Sequence, residues 1–167
     1  KDPRIHSVGN DSELHAMAAP IATRLIDLVS YQGRSIRNEV HDAFVRDTDK
    51  VADFGCGVGI STVVGGVGID LSTQMLRVAT NLYPNGKTFE IGNVEEWGRK
   101  NSFDVVTVFF VLHELPQPAR LNLLRNALRV SKTRVIVCDI SPQKVASPLM
   151  LEGEPFLLNY QRNILQD

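Results

Sequence analysis

Val51-Ala52-Asp53-Phe54-Gly55-Cys56-Gly57-Val58-Gly59 is the stretch on which the fold turns. An apolar, β-rich run ends in three alternating glycines. Glycine has no Cβ and tolerates positive φ, so such a turn bends sharply and lets backbone approach a ligand closely. A strand that runs into a turn of this kind predicts an α/β sheet that binds its ligand at the carboxyl ends of parallel strands.

The surrounding sequence agrees. Short β-rich runs recur at 67–70, 87–91, 104–110 and 134–139, most of them near-continuously apolar, as buried parallel strands tend to be. Helical patterns lie between them at Ser72–Leu82 and Ala119–Val130. Ser72 can cap the first, and Pro118 suits the first turn of the second. Alternating strand and helix implies a parallel sheet with helices on both faces. Upstream, Leu14, Met17, Ile21, Leu25 and Leu28 recur at spacings of three and four, the mark of an amphipathic helix, which Pro20 should bend. A second helix is predicted over Ser35–Arg46, with Ile36, Val40 and Phe44 on one face. Phe156, Leu157, Tyr160 and Ile164 form the buried stripe expected of a last helix. The expected organisation is one domain over 1–167: a helical segment at 1–48, a cofactor-binding core at 49–142 and a C-terminal helix at 143–167.

Composition narrows the partners. The 167 residues suit a single core. A net charge of −1 argues against nucleic acid as an obligatory partner. No apolar run approaches the roughly 20 residues of a membrane helix; Val105 to Leu112 is the longest, and Thr107 interrupts it. No targeting segment is visible. Two cysteines, Cys56 and Cys138, make no disulfide framework. The expectation is a soluble protein of a reducing compartment, cytoplasm or organelle stroma or matrix.

Asp53 sharpens the glycine turn. A carboxylate two residues before the first glycine would repel a pyrophosphate, and it is well placed for a cationic amino group. S-adenosylmethionine carries such a group and no phosphate. A nicotinamide site also wants glycine at position 60, which here is Ile60. Asp70, at the end of the second strand, can accept both hydroxyls of a ribose, or can serve simply as an acid at a helix N-terminus. Met75 can pack its thioether on an adenine face or belong to the core. Asn93 has an oxygen able to accept from the adenine amino group, and reads equally well as an ordinary turn residue. The fourth strand delivers His113 and Glu114 to the ligand edge of the sheet. His113 could take a proton there, or be a turn residue hydrogen-bonded to backbone; the second is the more common use.

From Val51 to Pro142 the chain resembles the class I S-adenosylmethionine-dependent methyltransferases, within them the small-molecule group that includes ubiquinone/menaquinone-type and arsenite methyltransferases. The resemblance lies in the loop Phe54-Gly55-Cys56-Gly57-Val58-Gly59, in Asp70-Leu71-Ser72 with Met75-Leu76, and in Phe103-Asp104-Val105-Val106 with Leu112-His113-Glu114-Leu115. It implies a Rossmann-like sheet of order 3-2-1-4-5 under an N-terminal helical lid. It implies S-adenosyl-L-methionine as methyl donor, released as S-adenosyl-L-homocysteine. Asp53, Gly55, Cys56, Gly57, Asp70, Leu71, Met75, Asn93, Val94 and Phe110 would hold the donor. His113 would be the base if the acceptor is a hydroxyl or an acidic carbon. No metal is expected, and the acceptor is expected to be a small molecule.

Two departures from the family pattern stand out. Only Ile60-Ser61-Thr62-Val63-Val64-Gly65 separates Gly59 from Gly66, where the family places a full helix; a crossover between parallel strands needs a dozen or so residues. Either the crossover is stunted, which would expose apolar sheet surface, or residues are missing from the numbering. The family's C-terminal hairpin is not seen before the given sequence stops at Asp167; a truncated chain, a reduced family member, or a protein partner or second copy at the open sheet edge would each be expected to account for it. Both departures would suit a methyltransferase fold kept as a non-catalytic binding or assembly subunit; the intact Asp53, glycine loop and Asp70 favour the enzyme. With the fourth strand between them, Cys56 and Cys138 are out of disulfide reach. Thiol titration of the denatured, unreduced protein should therefore count two free thiols, and a count of zero would overturn the strand order.

Overall fold

A computed structural model describes residues 13–166. At its centre β1 (Val51–Phe54) is buried along its whole length. It pairs in parallel with β2 (Val67–Asp70) on one side and β4 (Phe103–Phe109) on the other. β3 (Thr88–Ile91) lies outside β2, and β5 (Ser131–Cys138) outside β4, again in parallel. The order is β3-β2-β1-β4-β5, as expected.

The helices are α1 (Glu13–Ser30), α2 (Ile36–Phe44), α3 (Thr73–Leu82), α4 (Gln117–Val130), α5 (Pro148–Gly153) and α6 (Leu157–Asn163), with a 3-10 turn at Leu112–Glu114. Ser35 and Ser72 cap α2 and α3 by accepting from Asn38 and Met75 amides. One sheet face, carrying Ala52, Phe54, Val106 and Val108, packs on Leu123, Ala127 and Val130 of α4 and on Leu157 and Tyr160 of α6. Trp97 stands edge-on to Phe54. None of the helices described is long and apolar enough to cross a membrane. Cys56 and Cys138 are unpaired.

Four expectations change. β5 starts at Ser131, directly from α4 and three residues earlier than its apolar run: Ser131 pairs with Phe103, and across the register shift that follows, the Lys132 and Thr133 side chains bond to Asp104 of β4. The expected last helix is two: Pro155 has no amide hydrogen and cannot continue α5. In α1 the periodic residues face outward. Leu14 and Met17 are 78% and 63% exposed, whereas Ala16 is buried against Val58 and Met75. Pro20 lies inside this helix without ending it.

The fourth change concerns the crossover at 55–66. It contains turns and no helix, as its length demands. Even so, Val51, Val105 and Phe109 on that sheet face are buried, because the crossover lies flat on the strands. Gly68 is required there: a Cβ at that position would come within 2.8 Å of Cys56 Sγ and of Thr62 Oγ1. His41 of α2 meets Phe109 edge-on and covers the rest.

What holds the crossover down is a polar network in the sheet face. Asp53 Oδ2 accepts hydrogen bonds from Ser61 Oγ and Thr62 Oγ1, both at 2.8 Å, and Oδ1 accepts from Thr107 Oγ1 at 2.8 Å. Burial pushes the Asp53 carboxyl pKa up, and the three hydroxyls pull it back only partly. Thr62→Val removes one bond and should destabilise the protein by about 1–2 kcal/mol in urea unfolding. Asp53→Ala leaves three buried hydroxyls without their acceptor and should cost about 3 kcal/mol or more. Equal effects of the two substitutions would show that the network is not what secures the crossover.

Candidate active site

The carboxyl ends of β1, β2 and β4 open into a cavity of about 590 Å³, roofed by α1 and α2. A volume of this order suits a cofactor-sized ligand with little spare room.

One half is built by the turns after β1, β2 and β3. Gly57 has φ +52°, and a Cβ there would meet no atom within 4 Å, so bare backbone faces the cavity. Asp70 is fixed by two amides: Oδ2 accepts from Gly57 N–H and Oδ1 from Ser72 N–H, each at 2.8 Å. A carboxylate has about four acceptor positions, so this anchoring is compatible with accepting a diol. Leu71, Met75 and Val94 add apolar wall, and Gly55 and Cys56 complete the loop. Burial, then the charges of Asp53 and Asp70, hold the Cys56 thiol far above its ordinary pKa, so it is a packing residue and not a nucleophile.

Two residues assigned to the cofactor from sequence are not in this wall. Asp53 is 1% exposed and lies beneath the loop, bonded to three hydroxyls. Asn93 closes its own turn, its Oδ1 accepting from Glu95 N–H at 3.2 Å. Asp53 lies in β1 just before the loop and Asn93 in the turn after β3, and the side chain of each is engaged within the protein.

The other half comes from β4, β5 and the C-terminal helices. Phe110 takes φ +56°, a left-handed conformation that costs a bulky residue energy. It turns the chain out of β4 and into the 3-10 turn. Arg37 of α2 lies over the Phe110 ring at 4.5 Å and pairs with Asp27 of α1 at 3.5 Å, tying the roof to the sheet. His113 lines the cavity, with Nδ1 2.6 Å from Asp139 Oδ1. The partner is thus a carboxylate, not the backbone that a turn histidine commonly uses. Asp139 is itself held by the amides of Leu112 and Ile140, each at 2.7 Å. Burial is the largest influence on His113 and disfavours its charge. The Asp139 bond and the carboxylates of Asp139, Glu114 and Glu154 outweigh it, so the imidazole pKa is raised. Burial raises the Glu154 pKa.

Sequence reasoning passed over Asp139, Arg37 and Glu154. Asp139 had a usable signal, an acid one residue beyond the fifth strand at the edge that also carries His113. Arg37 and Glu154 had none, since only the packing of helices outside the sheet brings them to the cavity. By position in the N-terminal segment, His6, His15, Arg24 and Tyr31 are each candidates for acceptor contact and each more commonly surface or packing residues; His15 and Tyr31 line the cavity, Arg24 does not, and His6 lies outside the described residues.

The geometry therefore fits the cofactor implied by the loop: open backbone at Gly57, a fixed acid at Asp70 and apolar flanks. Residues 51–134, half of the chain, match the family model described as a methyltransferase domain. An uncharacterized protein of Methanocaldococcus jannaschii is 34% identical over 80 residues, 46% of this chain and 31% of its own length. The chain thus spans under a third of the curated relative it matches. Among solved structures, a TehB-like S-adenosylmethionine-dependent methyltransferase from Corynebacterium glutamicum superposes with a TM-score of 0.57 at 22% identity, over 73% of this chain and 72% of that one. Phosphoethanolamine N-methyltransferase 1 of Haemonchus contortus, solved with phosphoethanolamine and S-adenosylhomocysteine, gives 0.56 at 16% identity, over 67% of this chain and 27% of that one. The fold, the cofactor-type loop and the family match converge: this chain belongs to the class I S-adenosylmethionine-dependent methyltransferase superfamily.

Proposed function

We propose that the chain transfers the methyl group of S-adenosylmethionine to a small-molecule acceptor bound in the same cavity. One observation carries this reading. A single cavity joins the Gly55–Gly57 backbone and Asp70 to a second, chemically distinct half around His113. When bound, S-adenosylmethionine supplies a methyl group on a sulfonium, so the acceptor's lone pair forms the new bond while the carbon–sulfur pair stays on sulfur. The chain has to align the two partners and exclude water. Asp70 would hold the ribose, the Gly55–Gly57 backbone the amino-acid end, and Leu71, Met75 and Val94 the adenine. Residues 49–142 act as the cofactor-binding core. α1 and α2 act as the lid, with Arg37 on Phe110 as its clasp.

We assign acceptor activation to His113. Asp139 commits Nδ1, so Nε2 is the nitrogen that works on the acceptor. It can take the acceptor's proton, or hold a cation that makes the acceptor acidic.

Calorimetry tests the donor half. S-adenosylhomocysteine should bind and NAD should not. Asp70→Ala should weaken S-adenosylhomocysteine binding by about 1.5–3 kcal/mol as two charge-assisted bonds are lost; unchanged affinity would sink the ribose assignment.

A screen of quinols, phenols, thiols, carboxylates and arsenite with radiolabelled donor tests the acceptor half. With an acceptor in hand, His113→Ala should slow single-turnover transfer by about 10²–10⁴-fold and leave S-adenosylhomocysteine affinity nearly unchanged. Intact donor binding with no transfer to any acceptor would instead favour a non-catalytic subunit.

A further inference from the structure

Two separate stretches of chain meet in the cavity wall beside β4. His113 and Glu114 come from the 3-10 turn. Glu154 comes from the break between α5 and α6. Pro155 ends α5 and favours extended backbone in the residue before it, and Glu154 sits at φ −120° and ψ 80°. One ligand-type atom from each of the three residues lies within 4.8 Å of the other two.

The surroundings of these atoms are unusual. The His113 side chain is 7% exposed. Its Nδ1 is taken by Asp139, and no described residue bonds Nε2, although the ring lines the cavity. The half-buried Glu154 carboxylate likewise has no hydrogen-bond partner among the described residues, and it too lines the cavity. Both groups face the cavity instead of a protein partner, where a ligand can reach them. Two carboxylates and an imidazole nitrogen turned on one small volume favour a cation between them.

We infer that His113, Glu114 and Glu154 form a site for a divalent metal ion of the Mn²⁺, Fe²⁺ or Zn²⁺ type. One imidazole and two carboxylates suit these borderline ions better than Ca²⁺, which takes oxygen ligands alone. Ligand atoms sit about 2.0–2.2 Å from such an ion, so modest rotation of the two glutamate side chains closes the site. Asp139 is the outer carboxylate that metal-binding histidines characteristically hold through their other nitrogen. Three protein ligands leave coordination positions open to the cavity. The use of the site rests on the methyl-transfer reading, and there it selects an acceptor with an oxygen donor, such as a phenol, an enol or a hydroxy acid. A hydroxyl on the ion gives up its proton to water more readily. Its oxygen lone pair then forms the bond to the methyl carbon as the carbon–sulfur bond breaks.

Chelator-treated protein titrated with MnCl₂, with free ion counted by electron paramagnetic resonance, tests the site without needing an acceptor. The expected result is one Mn²⁺ per chain, at least tenfold weaker binding in Glu154→Gln and in His113→Ala, and S-adenosylhomocysteine affinity within twofold of wild type in both. Circular dichroism checks that each variant is folded, and the near-isosteric Glu114→Gln stands in for any that is not. No Mn²⁺ or Zn²⁺ binding, or equal binding in wild type and folded variants, overturns the inference and leaves His113 as a direct base. S-adenosylhomocysteine binding without metal binding removes the metal site while the methyl-transfer reading stands. Metal binding without S-adenosylhomocysteine binding supports the site and removes that reading.

Discussion

A carboxylate buried in the middle of the sheet, Asp53, is the constraint from which the rest of the structure follows. Its two oxygens collect hydroxyls from Ser61, Thr62 and Thr107. A charge or polar group at that depth is tolerable only when hydrogen-bonded, and the crossover supplies two of the three donors. That requirement draws residues 60–63 down onto the strands and substitutes for a helix in covering them. The same pull sets the course of Gly55–Gly57, so the cofactor loop inherits its shape from a side chain that does not line the cavity. Asp70 fixes the loop from the other side through the Gly57 amide.

Around this centre, the cavity is shaped by two places where the chain departs from regular geometry. Phe110 in the left-handed region ends β4 and starts the turn that carries His113 and Glu114. Pro155 interrupts the C-terminal helices and sets Glu154 opposite that turn. The two breaks bring Glu114 and Glu154 up to the His113–Asp139 pair, and these acids, with Asp139, raise the His113 pKa against the effect of burial. The same acids favour positive charge at this wall, a proton on the imidazole or a metal ion beside it, and the bond to Asp139 orients the ring.

The roof follows a different logic. α1 touches the sheet domain through small and polar side chains, with Ala16 packed on Val58 and Met75 while its large apolar residues face outward. Its attachment to the site runs through Asp27, Arg37 and Phe110. Glu13 also pairs with Arg77 of α3, and Tyr31 meets the Phe110 ring. An attachment made of ion pairs and ring contacts, with little apolar burial, is the kind that opens locally.

The sequence alone determined the strands, their parallel order by resemblance and the turns that face the ligand. Buried parallel strands are continuous apolar runs, and glycines with flanking acids mark the turns locally. It also singled out Asp70, the last residue of β2, and His113, in the turn that follows β4. Only the tertiary structure decided what the side chains on those turns do. Asp53 and Asn93 are at the expected positions, but their partners come from Ser61, Thr62, Thr107 and Glu95, and whether an acid points to a ligand or into the protein is set by neighbours across the sheet. The direction of the α1 stripe could not be read either, since periodicity shows that a helix has two faces and not which one meets the core. Arg37 and Glu154 reach the cavity from elements 76 and 41 residues away from His113 in the chain. Their role depends on helix packing and on one proline break, and no local pattern encodes that convergence.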